Sequence, residues 1–303
     1  MDVSVIIINY RTAELVAACV KSIIKFTRDV SYEIIVVDNH SEDDCKDVLS
    51  EISKNIIFIE LEDNLGFGVA NNKGVEVSSG RNILCLNPDT ILINNAIKEL
   101  SFFLDSHGKV GVCGGNLYDE KMNPTHSFFR YLPSVFWEIN VLFLGYMEKL
   151  FYYGNYDFNK KGTPFEVGYI TGADLMVRRD VFKLAGGYSS DFFMYYEDTD
   201  LCFRIKRLGY KIYSVPTAAI QHLEGRSFDK ERCMVNERRI RLMEKSRLIY
   251  YKRNVGRFER FVSNMIYDIA LHVNIFVFKC LKRVFWKNYK YRQMAFHELR
   301  KQF

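Results

Sequence analysis

The sequence predicts an α/β fold, a mostly parallel sheet with helices on both faces, followed by a basic helical extension. Three observations carry that expectation. Apolar runs of strand length alternate with stretches of helical spacing, the runs end in Asn and Asp, and the last quarter differs in charge from the rest. The first run, Val3 to Ile8, is apolar except for Ser4, as suits a strand covered on both faces. Glu14 to Ile24 then puts Leu15, Ala18, Cys19, Ser22 and Ile23 at helical spacing. Glu33 to Val37 repeats the strand signal and ends in Asp38 and Asn39. Ile56 to Leu61 runs into Asn64, Gly66 and Gly68, and a helix is expected from Val69 to Val77. Asn82 to Leu86 ends in Asn87, Pro88 and Asp89. Beyond these, Gly111, Gly114 and Gly115 read as a turn, and Val135 to Met147 as an amphipathic helix within an aromatic stretch. Tyr169 to Met176 reads as a strand interrupted at Gly172, and Lys211 to Val215 as a further strand.

With 303 residues, 48% hydrophobic and 15% aromatic, the chain can bury one large core or two modest ones, so disorder is not expected. Its seven cysteines are scattered and never spaced as C-x-x-C, which argues against a zinc site and a disulfide framework and for a reducing cytoplasm. The apolar opening has neither a basic flank nor a small-residue cleavage site, so it reads as a strand rather than a signal peptide.

Net charge divides the chain. Arg226 to Phe303 has 20 Lys and Arg against 7 Asp and Glu, net +13, whereas the preceding residues have 22 against 30, net −8. A domain of residues 1–227 and a basic amphipathic tail of residues 228–303 are therefore expected. Met234, Ile240, Met243 and Ile249 give the tail a helical pattern. Its charge-free run between Asp268 and Lys279 is shorter than the about 20 apolar residues that cross a bilayer. Trp286, Tyr289 and Tyr291 among Lys282, Arg283, Lys287, Lys290 and Arg292 suit an anionic membrane surface; a helical hairpin packed on the first domain or on a second subunit suits the pattern equally. No recognition motif for nucleic acid accompanies the charge.

The densest chemistry is Glu197, Asp198 and Asp200, three carboxylates in four positions ahead of a basic helix. Repulsion between them should raise at least one pKa and make a general base; a plain acidic helix start, with Arg204 paired to Asp200 one turn on, is the other reading. In a parallel sheet, ligands sit beyond the carboxyl ends of the strands, and here Asn9, Tyr10, Asp38, Asn39, Asn64, Gly66, Asn87 and Asp89 collect at those ends. Asn9, Tyr10 and Asp38 could hold a nucleotide base or ribose. The glycines of the Asn64 to Gly68 loop allow backbone to approach a ligand, and Asn71 one turn on could close the slot. No G-x-G-x-x-G follows the first strand, which disfavours a nicotinamide enzyme.

Those strand ends, the Asn64 to Gly74 loop, Gly172 and Ala173, the acidic cluster and His222 together resemble a family 2 glycosyltransferase of the inverting, GT-A type over roughly Val3 to Ser227. Within that family the pattern is most similar to bacterial rhamnosyltransferases of O-antigen and cell-wall polysaccharide synthesis. The resemblance implies Asp198 as the base, Glu197 and Asp200 as its acidic support, and Asp89 and His222 as contacts to a divalent metal, Mn2+ or Mg2+. Asn87 departs from the family's acidic triplet and puts metal dependence in question. It further implies a nucleotide-diphosphate sugar, best dTDP-rhamnose, as donor and a polyprenyl-linked or oligosaccharide acceptor, with Gly172 and Ala173 against the donor sugar and Asp174 near its hydroxyls. The enzyme would sit on the inner face of the cell membrane, as a monomer or a homodimer; a UDP-hexose transferase and an idle nucleotide-sugar-binding scaffold are the alternatives.

Overall fold

The computed structural model of the chain describes residues 1–223, 237–282 and 285–303. The Gly225-Arg226-Ser227 loop, the boundary between residues 227 and 228, Met234 and Arg283 lie outside the described residues. In chain order the elements are β1 (Val3–Asn9), α1 (Ala13–Phe26), β2 (Tyr32–Asp38), α2 (Cys45–Ile52), β3 (Ile57–Glu60), α3 (Phe67–Val77), β4 (Asn82–Leu86), β5 (Thr90–Leu92), α4 (Ala96–Ser106) and β6 (Val110–Tyr118). There follow β7 (Phe128–Phe129), α5 (Val135–Leu142), α6 (Tyr146–Tyr152), β8 (Phe165–Glu166), β9 (Tyr169–Ile170), β10 (Asp174–Arg178), α7 (Arg179–Leu184), α8 (Glu197–Arg207), β11 (Lys211–His222), α9 (Glu237–Asn254), α10 (Arg257–Cys280) and α11 (Trp286–Leu299).

The main sheet runs β3-β2-β1-β4-β10-β6-β11-β5, with β8 added to β11. Its first four strands are parallel, β10 is antiparallel to both neighbours, and β11 is parallel to β6. β1 is buried along its whole length, which is why its seven residues need no polar alternation. One apolar cluster lies under α1 and α4, the other under α3 and α8, so helices cover both faces as expected.

The glycines at 111, 114 and 115 form no turn; they lie inside β6. A Cβ on them would meet Ile205, Ile170 and the carbonyl of Ala218 at 2.9, 2.4 and 2.5 Å, so glycine is there to admit close neighbours rather than to reverse the chain. The strand expected from Lys211 to Val215 continues to His222, and this extension brings His222 beside β5.

The tail packs on the first part of the chain. Phe192, Tyr196 and Phe203 share an apolar cluster with Ile249, Tyr250 and Tyr251 of α9, and Val141 of α5 lies against the cluster of Leu248, Leu271 and Phe296. The described tail helices therefore pack on the first part of the chain, while one side of α10 stays exposed. The apolar segment is also longer than its charge-free run: α10 has 24 residues, enough by length and composition to cross a membrane, although 28% of its most apolar stretch is buried within the protein. Asp268 on this helix pairs with His297 of α11 at 3.1 Å.

Candidate active site

The parallel register places Asn9 beside Asp38, at the ends of β1 and β2. Asn9 is buried, and its Nδ2 donates to Asp38 at 2.7 Å, to Ser41 at 2.9 Å and to Asp43 at 2.9 Å, while its Oδ1 accepts from the backbone and hydroxyl of Thr12. Every polar atom of that amide is engaged, so Asn9 aims Asp38 rather than facing a ligand itself. Asp38 also accepts from the backbone and hydroxyl of Ser41. Tyr10 is exposed beside it, with the guanidinium of Arg11 5.5 Å from its ring centre.

Asn39 ties the next strand end to the glycine loop: its Nδ2 donates to Asn64 Oδ1 at 3.0 Å and its Oδ1 accepts from Leu65 N at 2.9 Å. Gly66 has φ +82°, and a Cβ there would stand 2.2 Å from the carbonyl oxygen of Phe193, which accepts from Phe67 N at 3.0 Å. The loop is therefore pinned to the segment leading into α8. Gly66→Ala is expected to weaken binding of a nucleoside diphosphate at least tenfold, because the loop must shift and take a left-handed alanine; calorimetric titration with the nucleotide checks it. Asn71 differs from expectation. It is fully buried and its Nδ2 donates back to the Phe67 carbonyl at 2.9 Å, so it braces the first turn of α3 and does not line an open slot.

On the other side of β1, Asn87 N donates to the Ala173 carbonyl at 3.0 Å and Gly172 N donates to Asp198 Oδ2 at 2.9 Å. Two adjacent residues, Gly172 and Ala173, thus link the end of β4 to the start of α8. Asp89, almost fully buried, lies 3.4 Å from His222 Nε2, and Asn87 Nδ2 lies 3.5 Å from the same nitrogen. Asp174 is engaged elsewhere. It is fully buried, accepts from Gly115 N at 2.5 Å, and burial pushes its pKa far up.

Asp198 Oδ1 accepts from Thr199 N at 2.6 Å and from the Thr199 hydroxyl at 3.0 Å. Burial raises its pKa against those hydrogen bonds. Glu197 is driven up to about 8, first by burial and second by the charge of Asp198. The sequence argument expected repulsion to dominate; desolvation does. Asp200 is fully buried between Arg204 Nε at 2.8 Å and Asn254 Nδ2 at 2.8 Å, so it anchors the helix. The Thr199 hydroxyl, the Phe193 carbonyl and Asn254 were not foreseen; only Thr199, adjacent to Asp198, carried a local signal.

Glu197 makes stability pH-dependent. Unfolded, it loses its proton near 4.5; folded, near 8, so its favourable contribution is full below about 4.5 and is lost as pH rises through about 8. Glu197→Gln should therefore stabilise the protein above that pH by on the order of 1–3 kcal/mol and change little in acid. Urea unfolding at both pH values tests this, and equal midpoint shifts would contradict it.

For a divalent cation, Asp89 and His222 offer an oxygen and a nitrogen close together, and His222 Nδ1 is buried without a hydrogen-bond partner among the described residues. Two protein donors suit an ion that keeps water and substrate phosphates in its shell. Among the described residues no group of three His, Cys, Asp or Glu side chains is arranged for a metal.

Residues 4–184 match the family described as glycosyl transferase family 2. Over 195 residues the chain is 26% identical to the dTDP-rhamnosyl transferase RfbF of Shigella flexneri, a match covering 63% of this chain and 60% of that one. Over 220 residues it is 23% identical to the N-acetylglucosaminyl-diphospho-decaprenol L-rhamnosyltransferase of Mycobacterium tuberculosis, covering 65% and 68% of the two. The match therefore spans about three-fifths of the length of the first of these relatives. A solved structure of GalNAc-T7 with UDP, GalNAc and Mn2+ superposes with a TM-score of 0.56 at 16% identity over 83% of this chain and 51% of that one, a likeness of fold.

Proposed function

We propose, on the premise that this chain belongs to glycosyl transferase family 2 and is a glycosyltransferase, that it transfers L-rhamnose from a dTDP-linked donor to a saccharide on a polyprenyl diphosphate, with inversion. The observation that supports the chemistry best is the orientation of Asp198, fixed by Gly172 N and by Thr199 at the start of α8. One carboxylate so held suits a single displacement. Asp198 takes the proton of the acceptor hydroxyl as its oxygen bonds to the anomeric carbon, and the bond from that carbon to the diphosphate breaks on the opposite face. The leaving diphosphate accumulates charge, which a divalent ion held by Asp89 and His222 offsets when bound. Asp38, aimed by Asn9, and the exposed ring of Tyr10 serve the nucleotide; the Asn64 to Gly68 loop brings backbone to it.

Donor hydrolysis without acceptor, screened over dTDP-rhamnose and UDP-hexoses with and without Mn2+, tests the reading. Turnover of dTDP-rhamnose above the others is expected. Binding without turnover of any donor would favour a scaffold, and preference for a UDP-hexose would replace the donor.

The tail supplies the acceptor's setting in this proposal. Phe258, Phe261, Met265, Ile269, Val273 and Phe276 recur at helical spacing along α10 and are all exposed, and Lys279 and Lys282 follow at its end. An apolar stripe ending in lysines suits the inner membrane surface, where a polyprenyl-linked acceptor resides. Because α9 to α11 are packed into the protein, deletion is a poor test. Phe261→Glu with Phe276→Glu is expected to abolish flotation with anionic liposomes while leaving donor hydrolysis intact; unchanged flotation would remove this contact.

A further inference from the structure

We propose that α9 is a positioning element of the active site, its Ser246 and Asn254 holding the segment ahead of Asp198 in the shape that turns that carboxylate toward Gly172. The inference rests on Asp198 as the base and adds how it is held.

Tyr195 and Tyr196, immediately before the acid pair, have φ of 71° and 65°. Two consecutive tyrosines in the left-handed region do not stay there by local preference, since their side chains crowd the following carbonyl oxygen. Something outside the segment must impose the conformation. On the donor side, Phe193 is fixed by Phe67 N, which donates to its carbonyl at 3.0 Å. On the opposite side α9 supplies several contacts. The Ser246 hydroxyl donates to the Met194 carbonyl at 2.8 Å, and the Arg239 guanidinium lies 5.9 Å from the ring centre of Tyr195. The ring of Tyr250 lies 5.5 Å from that of Tyr196, and Asn254 Nδ2 donates to Asp200 Oδ1 at 2.8 Å.

Asp200 is the hinge of this arrangement. Its N donates to the Tyr196 carbonyl at 2.8 Å, closing the first turn of α8, while its carboxylate is shared between Arg204 of its own helix and Asn254 of α9. Arg204 alone could orient the side chain, but among the described residues Asn254 Nδ2 at 2.8 Å and Arg253 Nε at 3.8 Å, both of α9, tie the other oxygen to a second element. A shift of α8 by a fraction of an ångström changes the reach from Asp198 to the acceptor oxygen. Ser246 and Asn254 bond to Met194 and Asp200, on either side of Asp198 and not to it, so the role is one of positioning. The basic tail, separate in composition, is thereby part of the catalytic apparatus.

The test is the variant Ser246→Ala with Asn254→Ala in the full chain. We expect kcat to fall about 10- to 100-fold while donor KM stays within about twofold. The acid limb of the kcat–pH profile should move toward ordinary carboxylate values as the loosened segment admits water to Glu197 and Asp198. Ser246→Thr, which keeps the hydroxyl, should retain most activity. Wild-type kcat in the double variant would overturn the proposal, as would a fall matching lost folded protein with the pH limb unmoved. If Asp198→Asn turns over normally, the assignment of the base has failed instead, whatever the double variant does.

Discussion

Asp198→Asn is expected to reduce sugar transfer by on the order of 10²–10⁴-fold while binding of the nucleoside diphosphate stays close to that of the native protein. The asparagine fills the same volume, and its Oδ1 can still accept from Thr199 N and the Thr199 hydroxyl. Its Nδ2 would face Gly172 N, donor against donor, where the carboxylate now accepts at 2.9 Å. One hydrogen bond is lost locally and the fold is kept. What disappears is the group that, in the proposed reaction, takes the proton as the acceptor oxygen attacks. The contacts of Asp38 and of the Asn39–Asn64 pair lie on other strand ends, so the nucleotide side should not register the change. Product formation and calorimetric nucleotide binding, measured on one preparation, separate the effects. Turnover within tenfold of the native rate would take Asp198 out of the chemistry.

The parts of this site readable in the sequence are those whose cause is local. A buried parallel strand is a continuous apolar run, and where it leaves the sheet the chain turns polar, so β1, β2, β3 and β4 and the residues at their ends could be placed within a residue or two. The Asn39–Asn64 bond follows from two such ends lying side by side. Glycine misled at 111 to 115 because composition records its presence and not its reason. A turn and a tightly packed strand both call for a missing Cβ. For the carboxylates, charge spacing was visible but burial was not, so the cause of the raised Glu197 pKa was assigned to repulsion when desolvation leads.

What depends on packing between distant segments left no trace in the sequence. Tyrosine has no preference for positive φ, so nothing announced Tyr195 and Tyr196 as a constrained pair. The contact of Asn254 with Asp200 joins positions 54 residues apart. The aromatic stretch around α5 packs inward in the fold: Trp137 and Phe129 lie 4.8 Å apart between ring centres, against the core under α8, and the sequence shows the rings without their partners. Composition distinguished the tail but could not say that its helices would share apolar clusters with α5 and α8.

The polar bond between those parts gives the largest expected effect on stability. Arg247 of α9 and Glu138 of α5 are both buried, with Nη2 and Nε donating to Oε1 at 2.8 and 3.2 Å and the Tyr251 hydroxyl donating to the same oxygen at 2.6 Å. The guanidinium also lies 3.9 Å from the ring centre of Tyr267, and its Nη1 donates to Asn264 at 3.0 Å. Arg247→Ala leaves the buried Glu138 without its ion-pair partner, and leaves a void against Tyr267. The expected cost is about 3–5 kcal/mol, read as a shift of the urea midpoint. Against a total stability of about 5–15 kcal/mol this loosens the tail from the domain. Loss of the charge partner and loss of packing make different demands on a second variant. Arg247→Met with Glu138→Leu removes both charges and restores apolar volume, so it should recover most of the loss if an uncompensated charge is the cause. If that pair stays as unstable as Arg247→Ala, the stacking on Tyr267 and the bond to Asn264 hold the tail, and the ion pair serves only to fix which face of α9 meets α5.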